Sequence, residues 1–97
     1  MATYVTLAKW TEQGIRNVKD APKRMEAFER ALTSAGGKLK DMYMLMGEYD
    51  LLVVTEAPNE EVVAKLTLAT GMLGNVRTMT SRAFSRDETT RIIQSLP

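Results

Sequence analysis

The segment Gly47-Glu48-Tyr49-Asp50 contains the residue types in this sequence that are best suited to chemistry. A phenol and a carboxylate lie side by side, next to a glycine that allows close backbone approach. Tyr49 and Asp50 could therefore orient a small polar ligand through hydrogen bonds. In the structural alternative, Gly47 makes a turn, Tyr49 packs and Asp50 caps backbone donors. The residue types leave both interpretations open and favour the structural one.

Trp10 and an arginine could frame the same region. Trp10 ends the first predicted strand, and Arg77 and Arg82 lie on the fourth. An arginine can hold a carboxylate through two parallel hydrogen bonds. The commoner alternative for each arginine is a solvated charge at a strand edge. The candidate ligand-binding residues are therefore Gly47, Tyr49, Asp50, Trp10 and Arg82.

Three methionines, Met42, Met44 and Met46, occupy every second position of one predicted strand and so share one of its faces. Met79 is expected to join them from the fourth strand. Methionine is flexible and fits irregular partners. The four side chains are predicted to line either an apolar ligand cavity between two sheets or the core of an interface, and we favour the interface.

The composition excludes several kinds of site. The chain contains no Cys and no His. Disulfides, thiolate nucleophiles and zinc–sulfur sites are therefore excluded, and the commonest base near neutral pH is missing. Carboxylates and carbonyls would suit only hard ions, and no carboxylate cluster suggests one. We expect neither a metal nor a cofactor.

Charge and hydropathy also limit the partners of this chain. Thirteen basic residues balance twelve acidic ones for a net charge of +1, with no basic arm, so nucleic-acid binding is not expected. No apolar run approaches the roughly 20 residues that span a bilayer, and the first residues lack a signal-peptide pattern. We expect a cytoplasmic protein with no membrane contact.

The apolar periodicity predicts the order strand, helix, strand, strand, helix, strand and a short last helix. The predicted strands are residues 3–10, 38–46, 49–56 and 76–84, and residues 11–20 form a loop or a short irregular helix. The helices begin at Pro22, at Pro58-Asn59 with Asn59 as N-cap, and at Ser85.

Turn and cap signals divide these elements. Gly36-Gly37 should end the first long helix, and Gly47-Glu48 should form a tight hairpin in which Gly47 supplies an unusual φ. Ser85 and Glu88 have the spacing of a capping box. The last helix should use Ile92, Ile93 and Leu96 to pack.

This order predicts an α+β, ferredoxin-like βαββαβ fold: a four-stranded antiparallel sheet plus a C-terminal helix, in one domain of residues 1–97. Two helices would cover one face of the sheet, yet residues 51–54 are apolar on both faces. Burying about 600 Å² of the second face would contribute about 15 kcal/mol before association costs. We therefore expect a homodimer or larger homo-oligomer, a dimeric α/β barrel; the alternative is that the C-terminal helix folds back over the sheet.

The run at residues 45–54 resembles the signature of the GYD-domain family, whose Gly, Tyr and Asp correspond to Gly47, Tyr49 and Asp50. The resemblance covers nearly the whole chain. It implies a small stand-alone protein of dimeric α/β-barrel fold and brings no established catalytic residues. Supporting segments are Thr3-Tyr4-Val5, Ala57-Pro58 and Arg82-Ala83-Phe84 before an acidic-capped helix.

The same stretch is similar to the effector-binding domain of Lrp/AsnC-type regulators, in which a glycine and an aspartate flank the turn before the third strand. The resemblance implies a domain that dimerises and binds amino acids between subunits. This chain lacks a helix-turn-helix segment, so the resemblance does not imply DNA binding.

Three functional hypotheses follow. The favoured one is an oligomeric module that binds or senses a small molecule near residues 47–50. The second is a cofactor-independent monooxygenase- or isomerase-like enzyme that uses Tyr49, Asp50 and Trp10 in an enclosed apolar cavity. The third is a non-catalytic assembly partner of a larger protein.

Overall fold

The computed structural model describes all 97 residues, and the predicted order of elements is confirmed. Residues 11–20 form a short helix and a 3-10 turn (Val18–Asp20), which matches the expected irregular helix. The strands are β1 (Ala2–Trp10), β2 (Lys38–Met44), β3 (Leu51–Ala57) and β4 (Val76–Ala83). The helices are α1 (Glu12–Arg16), α2 (Ala21–Ser34), α3 (Glu60–Met72) and α4 (Arg86–Gln94).

The sheet has the strand order β2-β3-β1-β4, and every neighbouring pair is antiparallel. This is the ferredoxin-like α+β arrangement that the sequence predicts. The two central strands are therefore β1 and β3. No helix is both long and apolar enough to cross a lipid bilayer.

One face of the sheet packs against α2 and α3. Tyr4 and Ala8 of β1 point to this face, together with Leu51 and Val53 of β3, and all four are buried. Leu32 of α2 is the most deeply buried large side chain, at 1% exposure. The alternation along β3 matches a strand with helices on one side only.

The second face of the sheet, called here the open face, is apolar and not covered by the helices. Tyr43 and Met79, on the two edge strands, remain 56% and 50% exposed. Residues 51–54 are therefore apolar on both faces of the sheet, as expected: their side chains point alternately into the core and onto the open face. The apolar residues of the open face are Val5, Leu7, Tyr43, Leu52, Val54 and Met79.

Helix α4 does not pack as predicted. Ile92, Ile93 and Leu96 are all exposed, so the expectation that they pack is wrong for the single chain, and α4 does not supply the cover for the open face. The start of α4 is well defined nevertheless. Ser85 accepts a hydrogen bond from the Glu88 main chain, and the Glu88 side chain accepts one from Ser85, which confirms the capping box.

The predicted methionine face is wrong in two respects. Met42 and Met44 pair with Val53 and Leu51 and so point toward the helices, whereas Met79 pairs with Leu7 on the open face. Met46 lies beyond the end of β2 and is 98% exposed. A bulge between Leu39 and Asp41 sets the alternation of β2, and only pairing with β3 reveals it.

The connection between β2 and β3 is longer than the predicted tight hairpin. It spans residues 45–50, and Gly47 does not have a positive φ, so the expectation of an unusual φ there is wrong. Only Gly36 and Gly74 have positive φ, and Gly36 follows α2 as expected. Asn59 caps α3 as predicted, by accepting a hydrogen bond from the Val62 main chain.

Candidate functional site

Asp50 ties the end of β1 to the β2–β3 connection. Its carboxylate Oδ2 accepts a hydrogen bond from the Trp10 main-chain N–H at 2.9 Å. Its own N–H donates to the Ala8 carbonyl at 2.9 Å, and its carbonyl accepts from the Leu45 N–H at 2.7 Å. The Asp50 side chain thus adds one hydrogen bond to β1 beyond the last residue pair of β1 and β3. This geometry is the structural role that the residue types favoured.

We expect the change Asp50→Ala to lower the free energy of unfolding by about 1.5–3 kcal/mol. The Trp10 N–H, which is partly buried, would lose a charged acceptor. Asp50→Asn keeps an oxygen acceptor and should lose less than half as much. Urea denaturation measures both variants, and equal losses would contradict the role of Asp50 as an acceptor.

Tyr49 lies over the open face, beside the basic side chain of Lys9. The Lys9 ammonium is 5.3 Å from the centroid of the Tyr49 ring, and the Tyr49 hydroxyl lies 4.0 Å from Met79 Sδ. Lys9 also lies 3.9 Å from the Glu48 carboxylate, and Arg77 is its direct neighbour across β1 and β4. We call Lys9, Glu48, Tyr49 and Arg77 the hairpin-end cluster.

The hairpin-end cluster has the chemistry of a weak anion site. Arg77 forms no ion pair within the chain, and its guanidinium can hold a carboxylate through two hydrogen bonds. Lys9 adds a second positive charge, which the Glu48 carboxylate at 3.9 Å partly offsets, and the Tyr49 ring adds an aromatic face. No side chain of the cluster is deeply buried, so a ligand there needs another surface to exclude water.

Arg82 does not belong to this site. It is paired with Tyr4, about 20 Å along β1 from Trp10. Its guanidinium lies 3.2 Å from the Glu88 carboxylate, donates to the Thr3 and Ala83 carbonyls, and stacks on Phe84 at 4.5 Å. The expectation that Arg82 frames the region of Tyr49 is wrong, because the strand register places Arg77 there.

The contacts of Arg82 fix the junction between β4 and α4. The pKa of Glu88 is lowered, first by the hydrogen bond from the Ser85 main chain and then by the hydrogen bond from Arg82. A carboxylate in the first turn also suits the positive end of the helix dipole. Arg82 therefore has a structural role in this chain.

The remaining candidates, Trp10 and Gly47, lie in different surroundings. The Trp10 side chain lines a cavity of about 390 Å³ between the sheet and α2 and α3, and neither Tyr49 nor Asp50 lines that cavity. Gly47 faces open space: a Cβ there would meet nothing within 4 Å. The three residues proposed for an enclosed reaction site do not share one.

Lys9 and Arg77 form the part of the site that sequence reasoning missed or underrated. Lys9 has the same parity in β1 as Val5 and Leu7, so its charge lies at the end of an otherwise apolar row. That break in the row was readable from the sequence. The pairing with Arg77 was not, because it depends on the register between β1 and β4.

Comparison with known proteins defines the family. The fold and the β2–β3 connection are those of a ferredoxin-like domain of the GYD type, and the GYD domain model matches residues 4–93. The chain belongs to the GYD-domain family, as the sequence indicated. A Thermus thermophilus protein named glutamine synthetase and cystathionine beta-lyase binding protein is 30% identical over 84 residues, which cover 86% of this chain and 88% of that protein.

Solved structures share the fold at low identity. A feast or famine regulatory protein from M. tuberculosis, complexed with L-methionine, has a TM-score of 0.65 and 16% identity over 88% of this chain and 51% of that chain. The Mycobacterium tuberculosis leucine response regulatory protein has a TM-score of 0.64 and 17% sequence identity, over 87% of this chain and 51% of that chain. The B. subtilis protein LrpC has a TM-score of 0.61 and 14% sequence identity, over 88% of this chain and 51% of that chain. The predicted similarity to Lrp-type domains is confirmed for the fold, and this chain spans about half the length of these three proteins.

Proposed function

We propose that this chain is a homo-oligomeric module that binds a small carboxylate at the hairpin-end cluster. The observation that carries the proposal is the cross-strand pairing of Lys9, which lies 5.3 Å from the Tyr49 ring centroid, with Arg77, which forms no ion pair within the chain. Two cations at the end of an apolar surface suit a ligand with a carboxylate and an apolar body. The proposal keeps Tyr49 as a contact and gives Asp50 a supporting role.

The oligomer is part of this proposal because the cluster lies at the edge of the open face. Tyr43, Leu52 and Met79 present apolar surface beside the cluster, and α4 leaves that surface uncovered. A second copy placed on the open face would exclude water from Lys9 and Arg77 and strengthen their attraction for a carboxylate. The site would then be built between two subunits.

A ligand screen tests this function. We expect an amino acid or small carboxylic acid to raise the midpoint of thermal unfolding, because a ligand that binds only the folded state stabilises it. Arg77→Gln should remove the shift, whereas Arg91→Gln, an exposed arginine on α4, should keep it. The panel begins with amino acids because a protein of the same fold is described with L-methionine bound.

Two results would count against the binding module. One is a screen in which no amino acid or small acid raises the unfolding midpoint. The other is a shift that survives in both Arg77→Gln and Lys9→Gln, which would place the ligand elsewhere. Isothermal titration calorimetry on the same variants separates lost affinity from altered stability.

A second candidate function is that of an assembly partner for metabolic enzymes. It is favoured by the relative whose name describes binding to glutamine synthetase and cystathionine beta-lyase. Biosensor measurements of the purified chain against these two enzymes from its own source organism test this alternative. Saturable binding to either enzyme without a small molecule supports it, and no binding at micromolar concentrations counts against it.

A further inference from the structure

The helix-covered side of the sheet is incompletely filled. Between α2, α3 and the sheet lies the cavity of about 390 Å³ that Trp10 lines. Met25, Phe28 and Leu66 contact this space and are only half-buried, although they point toward the core. Small-molecule sites in proteins begin at about 300 Å³, so this volume is large enough for a ligand.

Small side chains on the helices keep the space open. Ala27 and Ala31 of α2 and Ala69 of α3 line it and remain exposed, while Trp10 and Phe28 form aromatic walls. The other lining groups are mainly aliphatic side chains and threonines of the strands. Apolar cavities of this kind bind apolar molecules more readily than they hold water.

Three charged residues, Asp20, Lys23 and Arg24, lie at the helix end of the cavity. The Arg24 guanidinium is already engaged with the Asn17 carbonyl at 3.0 Å and the Gly14 carbonyl at 3.5 Å. Neither Lys23 nor Asp20 forms an ion pair within the chain. The three side chains together carry a net charge of +1. The Lys23 ammonium is the cation among them that has no partner within the chain.

We propose that this cavity binds a small molecule with an apolar body and one carboxylate, with the body against Trp10 and Phe28 and the carboxylate beside Lys23. At about 30 Å³ for each water-sized group, the volume suits a body of about ten carbon atoms. This site lies on the opposite side of the sheet from the hairpin-end cluster and is independent of the proposed function.

Decanoate is the probe, used below its micelle-forming concentration, and Trp10 is the reporter because it is the only tryptophan of the chain. We expect a saturable change in Trp10 fluorescence, with 1-decanol and decylamine binding at least tenfold more weakly. Equal affinities for the three compounds would overturn the carboxylate preference. A fluorescence that does not change, or changes without saturation, would overturn the site.

Methyl NMR locates the bound probe. Decanoate should shift the methyl resonances of Met25 and Met42, which line the cavity, and leave Met79 on the open face unchanged. The reverse pattern would place the probe on the open face and overturn the proposal. Arg77→Gln should bind decanoate like the wild type, so this result and that of the hairpin-end cluster can fail separately.

Substitutions on the two helices that line the cavity complete the test. Ala31→Leu and Ala69→Leu fill the cavity from α2 and α3, and each should weaken decanoate binding at least tenfold while the chain stays folded. Lys23→Gln should weaken decanoate but not decanol, whereas Lys65→Gln, outside the lining, should change neither. Wild-type affinity in both folded leucine variants would overturn the proposal.

Discussion

The change Leu52→Glu is expected to separate the proposed homo-oligomer into folded monomers. Leu52 lies in the central strand β3 on the open face, opposite Leu7 of β1. In a single chain the new carboxylate would reach water. Under a second copy it would be buried without a partner, at a cost of several kcal/mol. We expect the dissociation constant of the subunits to rise by roughly 10³-fold or more.

Sedimentation velocity and light scattering measure this effect. The wild type should sediment as a dimer or larger, and Leu52→Glu as a monomer with an unchanged far-UV circular dichroism spectrum. Leu68→Glu is the matched control, because it makes the same change on the solvent side of α3, where Leu68 is exposed. A monomeric wild type, or a Leu52→Glu variant that stays assembled, would contradict the proposed use of the open face.

The second large effect is expected for Gly14→Ala. Gly14 is buried in α1 against the chain segment before β4, and a Cβ there would lie 1.9 Å from the Asn75 carbonyl oxygen. The obstacle is backbone, which cannot rotate away as a side chain can. The contact is also anchored: the Thr11 N–H donates to that same carbonyl, and the Thr11 hydroxyl donates to the Gly74 carbonyl.

We therefore expect Gly14→Ala to lower the free energy of unfolding by about 3 kcal/mol or more, near the top of the range for overpacking. The midpoint of thermal unfolding should fall by more than about 12 °C, given about 4–8 °C for each kcal/mol in a domain of this size. Gly71→Ala in α3 is the control, because a Cβ there meets open space and alanine favours helix. A loss below about 1 kcal/mol for Gly14→Ala would contradict the close contact with Asn75.

The order of elements could be predicted because its signals are local. The alternation in β1, the proline in the first turn of α2, the Asn59 cap and the Ser85–Glu88 capping box each act within a few residues. The same reasoning predicted that β3 is apolar on both faces, which identified the open face before any register was known.

The errors have a different cause: each wrong assignment depends on pairing between strands whose residues are distant in the sequence. The bulge before Asp41 is visible only against β3, so Met42 and Met44 could not be assigned a face from β2 alone. Arg82 and Arg77 both lie on β4, and only the register with β1 decides which of them neighbours the hairpin end. Of the two arginines that the sequence offered, Arg82 was therefore the wrong choice, whereas Tyr49 and Asp50 do lie together at the hairpin end.

Gly14 shows the same limit in another form. In the sequence it is one glycine in a segment of weak periodicity, with nothing to separate it from Gly71. A glycine is required at this position because the Asn75 carbonyl, which is distant in the sequence, leaves no room for a Cβ. A glycine that is needed for backbone contact, and not for its φ, leaves no local signal.

The central position of β1 has a consequence for how the chain reaches this fold. The strand that is synthesised first pairs with β3 and β4, whose residues are 51–57 and 76–83, so neither partner exists until most of the chain has been made. Such separated contacts raise the contact order and slow folding relative to a helical protein of this length. Until β3 and β4 emerge, the apolar side chains of β1 lack their native partners, and such exposed apolar surface is prone to aggregation.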